Sequence, residues 1–219
     1  KIINYFYGKV TLNNNFVMAK SFKDLYISIS NSYNETSLCK EKGYKHFPNE
    51  YELSELKILG EKIRSGCNVL DVGTGMGIAP RFAKKLGANV ITLDSYQASG
   101  SDAIENIKNE GIGSIFIDIL NDKIPLDDNS IDIIFFGDVI EHLLHSPKRA
   151  LLEFNRILKP NGVCIASTPN AVRLTVRIKV LLGYSNWSNL NDFWNEDFNS
   201  GHHHEYTLDE FRSVFLKTG

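Results

Sequence analysis

Two hydrophobic periods divide this chain. From Cys67 onward, short continuous apolar runs alternate with stretches whose apolar residues return every three or four positions. The first kind of run predicts buried strands and the second amphipathic helices. Strands are predicted at Cys67–Val72, Asn89–Leu93, Ser114–Ile117, Ile131–Phe136 and Val163–Ser167. Between them, Ile78–Leu86 places Ile78, Phe82 and Leu86 on one side, and Ser101–Glu110 is a helix stopped by Gly111. A third helix follows Ser146-Pro147, with Ala150, Leu151, Phe154, Ile157 and Leu158 on one face. Lys159-Pro160-Asn161-Gly162 is expected to end it. Strands alternating with helices predict a parallel α/β sheet with helices on both faces.

The flanks read differently. A helix is expected from Ser21, with Phe22, Leu25, Tyr26 and Ile29 at helical spacing. Asn49 is a candidate cap for a second helix carrying Leu53, Leu56 and Ile63 inward. Residues 1–63 are therefore read as a helical cap belonging to the same domain as residues 64–219. After Pro169 the alternation breaks. Ala171–Leu182 is apolar yet carries Arg173, Arg177 and Lys179, and Gly183–Tyr206 is a long loop holding Trp187, Trp194 and His202-His203-His204. Residues 171–206 are expected to form a substrate-side insertion. The aromatic loop is either a lid that excludes water or a packed insertion. Arg173 and Arg177 either face an anionic substrate group or form a solvated basic face. Thr207-Leu208-Asp209-Glu210 is a capping box opening a last helix with Leu208, Phe211, Val214 and Phe215 inward.

Chemistry enters at Val69-Leu70-Asp71-Val72-Gly73-Thr74-Gly75-Met76-Gly77, a strand running into a glycine-rich turn and a helix N-terminus. Such a turn suits a nucleotide-like ligand. A dinucleotide fingerprint requires Gly-x-Gly-x-x-Gly, but position 78 is Ile, so the spacing is Gly-x-Gly-x-Gly. Asp71 before the glycines would repel a pyrophosphate and attract an ammonium. Both features argue against a nicotinamide-dependent oxidoreductase on the same sheet. Asp94, at the end of the second strand, is placed to accept hydrogen bonds from ribose hydroxyls. Asp118 repeats that position on the third strand and could accept from an adenine amino group, with Ile119 covering the ring.

Motif and spacing together resemble motif I of the class I S-adenosylmethionine (SAM) dependent methyltransferases. The resemblance extends over about residues 50–170, through Gly137-Asp138-Val139-Ile140-Glu141-His142-Leu143 and Arg156–Gly162. It implies a Rossmann-like, doubly wound, mainly parallel sheet and SAM as cofactor. Asp71, Gly73, Thr74, Gly75, Gly77, Asp94, Asp118, Ile119 and Asp138 would then bind the cofactor. Asp138, Glu141 and His142 fall at i, i+3 and i+4, so one helical turn would put them on one face. Three readings stay open: His142 as general base, a divalent-metal site, or a structural network. The metal reading rests on similarity to the ubiquinone-biosynthesis O-methyltransferases, whose acidic-x-x-Glu-His segment has that assignment, though Asp138 stands where that family has Glu. The block is therefore read as catalytic, without a metal. Gly201–Phe211 resembles the Gly-His-x-x-Glu-Tyr-Thr segment of methyltransferases that tailor sugars, lipids and secondary metabolites; one of its histidines either faces the substrate or packs the loop.

Composition sets limits. The chain has 219 residues and a net charge of -2, which gives no global drive toward nucleic acid. Its three cysteines, Cys39, Cys67 and Cys164, are scattered, as reduced thiols in a cytoplasmic protein would be. No apolar run is long enough to span a membrane. No Asn/Asp-Pro-Pro-Tyr motif follows the fourth strand, which favours an oxygen acceptor on a small molecule over amino methylation. A small-molecule N-methyltransferase and a SAM-binding regulatory subunit without transfer activity are the alternatives. Five strands leave the fifth as an open edge. Its exposure is expected from a truncated C-terminus, with cover by the N-terminal helices or aromatic loop, or a homodimer, as the other outcomes.

Overall fold

The structure is a computed structural model that describes residues 16–35, 46–96, 102–185 and 201–219; for residues 16–20 and 102 it describes the backbone alone. Its strands are β1 (Asn68–Val72), β2 (Asn89–Asp94), β3 (Gly113–Phe116), β4 (Ile131–Gly137) and β5 (Leu158–Ser167). All pair in parallel, in the order β3-β2-β1-β4-β5. The helices are α1 (Phe16–Asn34), α2 (Glu50–Lys62), α3 (Ile78–Lys85), α4 (Asp102–Asn109), α5 (Lys148–Ile157), α6 (Leu174–Leu181) and α7 (Leu208–Leu216), with a 3-10 turn at Ile140–His142. The order reverses between β1 and β4, so the carboxyl ends of those strands open a crevice where ligands of α/β sheets bind.

The period of two along each strand sorts the core into two layers. Val69, Ile133, Phe135 and Ile165 pack toward α1, α2 and α3. Leu70, Val72, Ile134, Phe136, Cys164 and Ala166 point the other way, into a cluster with α5 and α7. A parallel sheet needs both layers, because its strands are apolar on both faces. Ile104, Ile107 and Ile112 form a smaller cluster against Val90 and Phe116.

Polar contacts bind the N-terminal helices together. The Tyr26 hydroxyl donates to the Glu52 carboxylate and accepts from the Asn49 N–H at 3.0 Å. The His46 ring lies between Ser30 Oγ and Glu52 Oε2, 2.7 Å from each. Asn49 caps α2 as expected, accepting from Glu52 N–H at 2.9 Å.

Several local expectations are corrected. Leu158–Gly162 belongs to β5 rather than to the end of a helix. Pro160 cannot continue the helix, and Leu158 instead pairs with Ile131 across the ladder. The register shifts between Ile131 and Ile133, and Asn161 absorbs the irregularity at a φ of 69°. β3 ends at Phe116, so Asp118 lies beyond the strand. The inner face of α2 adds Leu59 to Leu53 and Leu56, and Ile63, at the C-cap, packs partly buried against the same cluster. The Thr207–Glu210 capping box forms, but Leu208 stays exposed and Phe211 and Phe215 carry the burial. Leu208 sits in the first turn, before the helix reaches the sheet.

Five strands are present among the described residues, and β5 is an edge. α2 and α7 flank it, and Asn170 bridges to Tyr206 beyond its end. The aromatic loop, with Trp187 and Trp194, and Cys39 lie outside the described residues. Among the described residues, no helix is long and apolar enough to cross a membrane.

Phe136 is fully buried and meets Phe154 edge to face, with ring centroids 5.1 Å apart. Phe136→Ala should cost about 3–5 kcal/mol of stability by urea denaturation; a loss below about 1 kcal/mol would contradict this account of the core.

Candidate active site

The glycine turn after β1 is held from two sides. Gly73 N–H donates to Leu93 O at 2.9 Å, and Thr74 N–H donates to Asp94 Oδ2 at 3.0 Å. These bonds tie the turn to the end of β2. Gly73 has a φ of 77°, and a Cβ there would meet Val139 Cγ2 at 2.3 Å. The segment after β4 can therefore lie against the turn only because position 73 has no side chain. Gly75 is also left-handed, at 51°, with open space where a side chain would stand.

A cavity of about 380 Å³ lies over this turn, bounded by Asp71, Gly73, Thr74, Gly75, Gly137 and Asp138. Its wall includes Glu52, Glu55, Asp71 and Asp138 but no lysine or arginine, so it favours a cationic ligand. Burial pushes the Asp71 carboxyl up to about 7, against the Thr74 hydroxyl and with the Asp94 charge adding to the rise. Asp71 Oδ2 and Thr74 Oγ1 are buried beside each other and have no further hydrogen-bond partner. Burial likewise raises Asp94, opposed by the N–H groups of Ser95 and Thr74.

A second cavity, of about 420 Å³, runs along β5 between α2 and α7. Tyr51, Glu55 and Phe135 line both cavities. Tyr51 donates to Asp138 Oδ1 at 2.7 Å. Glu55 is pushed up to about 8, first by burial and then by the Asp138 charge. Sequence reasoning missed Tyr51 and Glu55. Their one signal was the i, i+4 spacing of polar groups on a helix otherwise sorted by its leucines.

Asp138, Glu141 and His142 do not share a helical face. Asp138 stands before the turn with a φ of 51°, which Asp tolerates better than most side chains. The turn that follows is a single 3-10 turn, so the i, i+3, i+4 rule fails. Glu141 is fully buried; its carboxylate accepts from Thr168 Oγ1 at 3.0 Å and its carbonyl from the N–H groups of His203 and His204 at 2.7 and 3.2 Å. Burial pushes it up to about 7, with Asp138 adding to the rise. His142 Nδ1 is 3.1 Å from Gly201 O. A proton on Nδ1 makes that contact and leaves Nε2 as the acceptor. Burial holds His142 below its ordinary 6.5, with His202 pushing the same way.

The loop before α7 brings in His202, whose ring centroid is 5.0 Å from that of His142. Glu141, His142 and His202 offer ligand atoms all within 4.8 Å of one another, a set able to hold a divalent cation. His202 thus occupies the place expected of Asp138. His202 also meets Glu205 at 2.9 Å, and Glu205 meets Arg173 at 3.1 Å. Arg173 and Arg177 are separated in role: Arg173 lines the second cavity, while Arg177 donates to Val172 O.

Asp118 and Ile119, read as adenine contacts, lie outside the wall of the cavity over the glycine turn. Asp118 accepts from Leu120 N–H at 2.9 Å and from Asn121 Nδ2 at 2.7 Å, so both its oxygens close a turn. Ile119 is only 9% exposed and packs into the core beneath the sheet.

Residues 70–166 match the family described as "Methyltransferase domain". The mitochondrial ubiquinone biosynthesis O-methyltransferase of Dictyostelium discoideum is 29% identical over 156 residues, 63% of this chain and 48% of that protein. The ribosomal protein L11 methyltransferase of Thermosipho melanesiensis is 32% identical over 112 residues, 50% of this chain and 41% of that one. The chain thus spans about half the length of the curated relatives it matches. Among solved structures, phosphoethanolamine N-methyltransferase 2 of Haemonchus contortus, in complex with SAM, superposes with a TM-score of 0.57 at 18% identity. That match covers 96% of this chain and 44% of the other, and it shows the same fold.

The buried Asp71 sets a pH dependence. Its folded value, about 7, lies above the ordinary 3.8, so the folded chain holds a proton that the unfolded chain has released. Its stabilising contribution is complete below the ordinary value and is lost as pH rises toward 7. Asp71→Asn should therefore flatten the stability profile between about pH 4 and 7, gaining on the order of 2–4 kcal/mol at pH 8. Urea denaturation of both proteins at pH 5 and pH 8 measures this; parallel profiles would refute it.

Proposed function

We propose that this protein, whose residues 70–166 match the family described as "Methyltransferase domain", is a class I enzyme that moves a methyl group from SAM to an oxygen atom of a small molecule. The observation that carries the cofactor half is the acidic cavity over the glycine turn. Its buried Asp71 Oδ2 and Thr74 Oγ1 have no partner beyond each other, and the surrounding wall holds no lysine or arginine. A ligand bearing an ammonium and a sulfonium fits that chemistry. Asp71, Gly73, Thr74, Gly75 and Gly77 would hold its amino-acid end, and Asp94 its ribose hydroxyls. Asp118 and Ile119 are not carried into this proposal.

When bound, SAM supplies an electrophilic methyl group. The protein's own contribution is to bind, orient and accept a proton. Proximity and alignment should supply most of the rate. His142, neutral near pH 7 with Nε2 free to accept, is the proposed base for the proton of an acceptor hydroxyl. Glu141 fixes the turn that carries His142, and Asp138 adds a carboxylate near both. The ubiquinone-biosynthesis relatives support oxygen as the acceptor, and the apolar character of the second cavity supports a small organic one. A metal-assisted reading is favoured by one specific observation, the Glu141-His142-His202 cluster.

Asp94→Ala should weaken SAM binding by about 2–4 kcal/mol in calorimetry, since charge-assisted bonds to two hydroxyls are lost. Unchanged affinity would remove Asp94 from the site. His142→Ala should lower turnover roughly a hundredfold while SAM affinity holds. Because His142 lies below 6.5, the wild-type rate should climb on the acid side of that value and be level above it. Loss of activity to a chelator, restored by a divalent cation, would replace the base reading with the metal one.

A further inference from the structure

Arg81 is the one lysine or arginine that is buried among the described residues, at 5% exposure. It is the fourth residue of α3. A cation there opposes the helix dipole, whose positive end lies at the N-terminus. Burying a guanidinium is costly as well unless its donors are met. A residue that breaks two local rules at once points to a function served by the exception.

The donors are met by three acceptors. Arg81 Nε donates to Glu110 Oε1 at 2.6 Å. Its Nη1 donates to Met76 O at 3.0 Å and to Gly77 O at 3.2 Å. The side chain therefore curls back from α3 and takes hold of two consecutive carbonyls of the glycine turn. Gly77 leaves room for it: a Cβ there would stand 2.9 Å from Arg81 Nη1 and 2.7 Å from Ile107 Cγ2. Gly75 differs, with nothing within 4 Å of the Cβ it lacks. The cavity wall includes Gly75 and Met76 but neither Gly77 nor Arg81. Arg81 can thus act on a ligand only through the turn. Bracing α3 against the end of α4 does not require it, because Lys84 Nζ already donates to Glu110 O and, at 3.0 Å, to Gly111 O.

We propose that Arg81 is the positioning residue of the cofactor turn: by holding Met76 O and Gly77 O, it fixes the backbone of residues 75–77 in the shape that receives SAM. A peptide group is planar, so a carbonyl held in place also sets the N–H of the next residue. The Met76 carbonyl and the Gly77 N–H belong to one such plane, and that N–H donates to Thr74 O at 2.8 Å, closing the turn. The rigid planar fork of a guanidinium suits this task better than the point charge of a lysine. The proposal rests on the reading that SAM occupies the cavity over this turn, and it does not depend on the identity of the methyl acceptor.

The test combines SAM calorimetry with amide hydrogen exchange of the ligand-free protein. Arg81→Met should bind SAM at least about tenfold more weakly, and its Gly77 N–H should exchange at least about tenfold faster before any ligand is added. Glu110→Gln leaves both carbonyl bonds in place, so it should keep the wild-type SAM affinity and Gly77 exchange even where it lowers the melting temperature. Wild-type affinity in Arg81→Met, or unaltered Gly77 exchange, overturns the proposal. So does an equal loss of SAM affinity in Arg81→Met and Glu110→Gln, which would make the pair a simple brace. Should Arg81→Met fail to fold, Arg81→Lys, which keeps the charge but not the fork, carries the same two predictions. A wild type that binds no SAM would overturn the reading of the cavity instead, and the exchange of Gly77 would then decide by itself whether Arg81 holds the turn.

Discussion

The site depends on the close approach of one side chain to a bare stretch of backbone. The turn after β1 and the segment after β4 meet at Gly73 and Val139, at a distance that admits no side chain on residue 73. Asp71, just before that turn, is buried in the end of the sheet, and burial raises its proton affinity. Asp138 lies on the wall of the same cavity. The bond from Thr74 N–H to Asp94 then links the turn to the next strand. Asp71 and Asp138, from two strand ends, thus line one space together with Glu52 and Glu55 of α2, and that set of carboxyl groups suits the space to a cation.

Glu141 plays a comparable part on the other side. Its carbonyl takes the N–H groups of His203 and His204, and its carboxylate takes the Thr168 hydroxyl. A residue in the middle of the chain therefore fastens a loop some sixty positions later. This is why His142 and His202 face each other at 5.0 Å. The buried carboxylate is costly to desolvate, and the bonds it accepts offset part of that cost. The N-terminal helices complete the enclosure: Tyr51 bonds Asp138, and Glu55 stands between the two cavities.

The five parallel strands, and the residues ending β1 and β2, were legible in the sequence. Apolar runs flanked by glycine and aspartate can mean little else when they alternate with helical periods. The caps at Asn49 and Thr207 were legible for the same reason, since capping is local chemistry within four residues. Local patterns also misled. The Lys159–Gly162 stretch carries helix-stop residues, yet ladder pairing with β4 recruits it into β5. The i, i+3, i+4 spacing of Asp138, Glu141 and His142 presumed a helix that a left-handed Asp138 and a short 3-10 turn do not provide. Asp118 and Ile119 matched a motif position; the structure adds that Asp118 closes a turn and Ile119 packs into the core.

By itself, then, the sequence determined the sheet, its covering helices and the glycine turn with Asp71 and Asp94. Those depend on periodicity, on backbone freedom at glycine and on contacts within a few residues. Only the tertiary structure decided which side chains converge from distant segments. Tyr51 and Glu55 reach the site from α2, and His202 reaches it from the loop before α7. No period or spacing encodes those meetings, because they follow from how helices dock on the sheet and from one carbonyl, that of Glu141, receiving two distant N–H groups. The exposure of α6 has the same origin: its apolar residues were visible in the sequence, but only the structure shows that Val176 alone among residues 172–185 is buried.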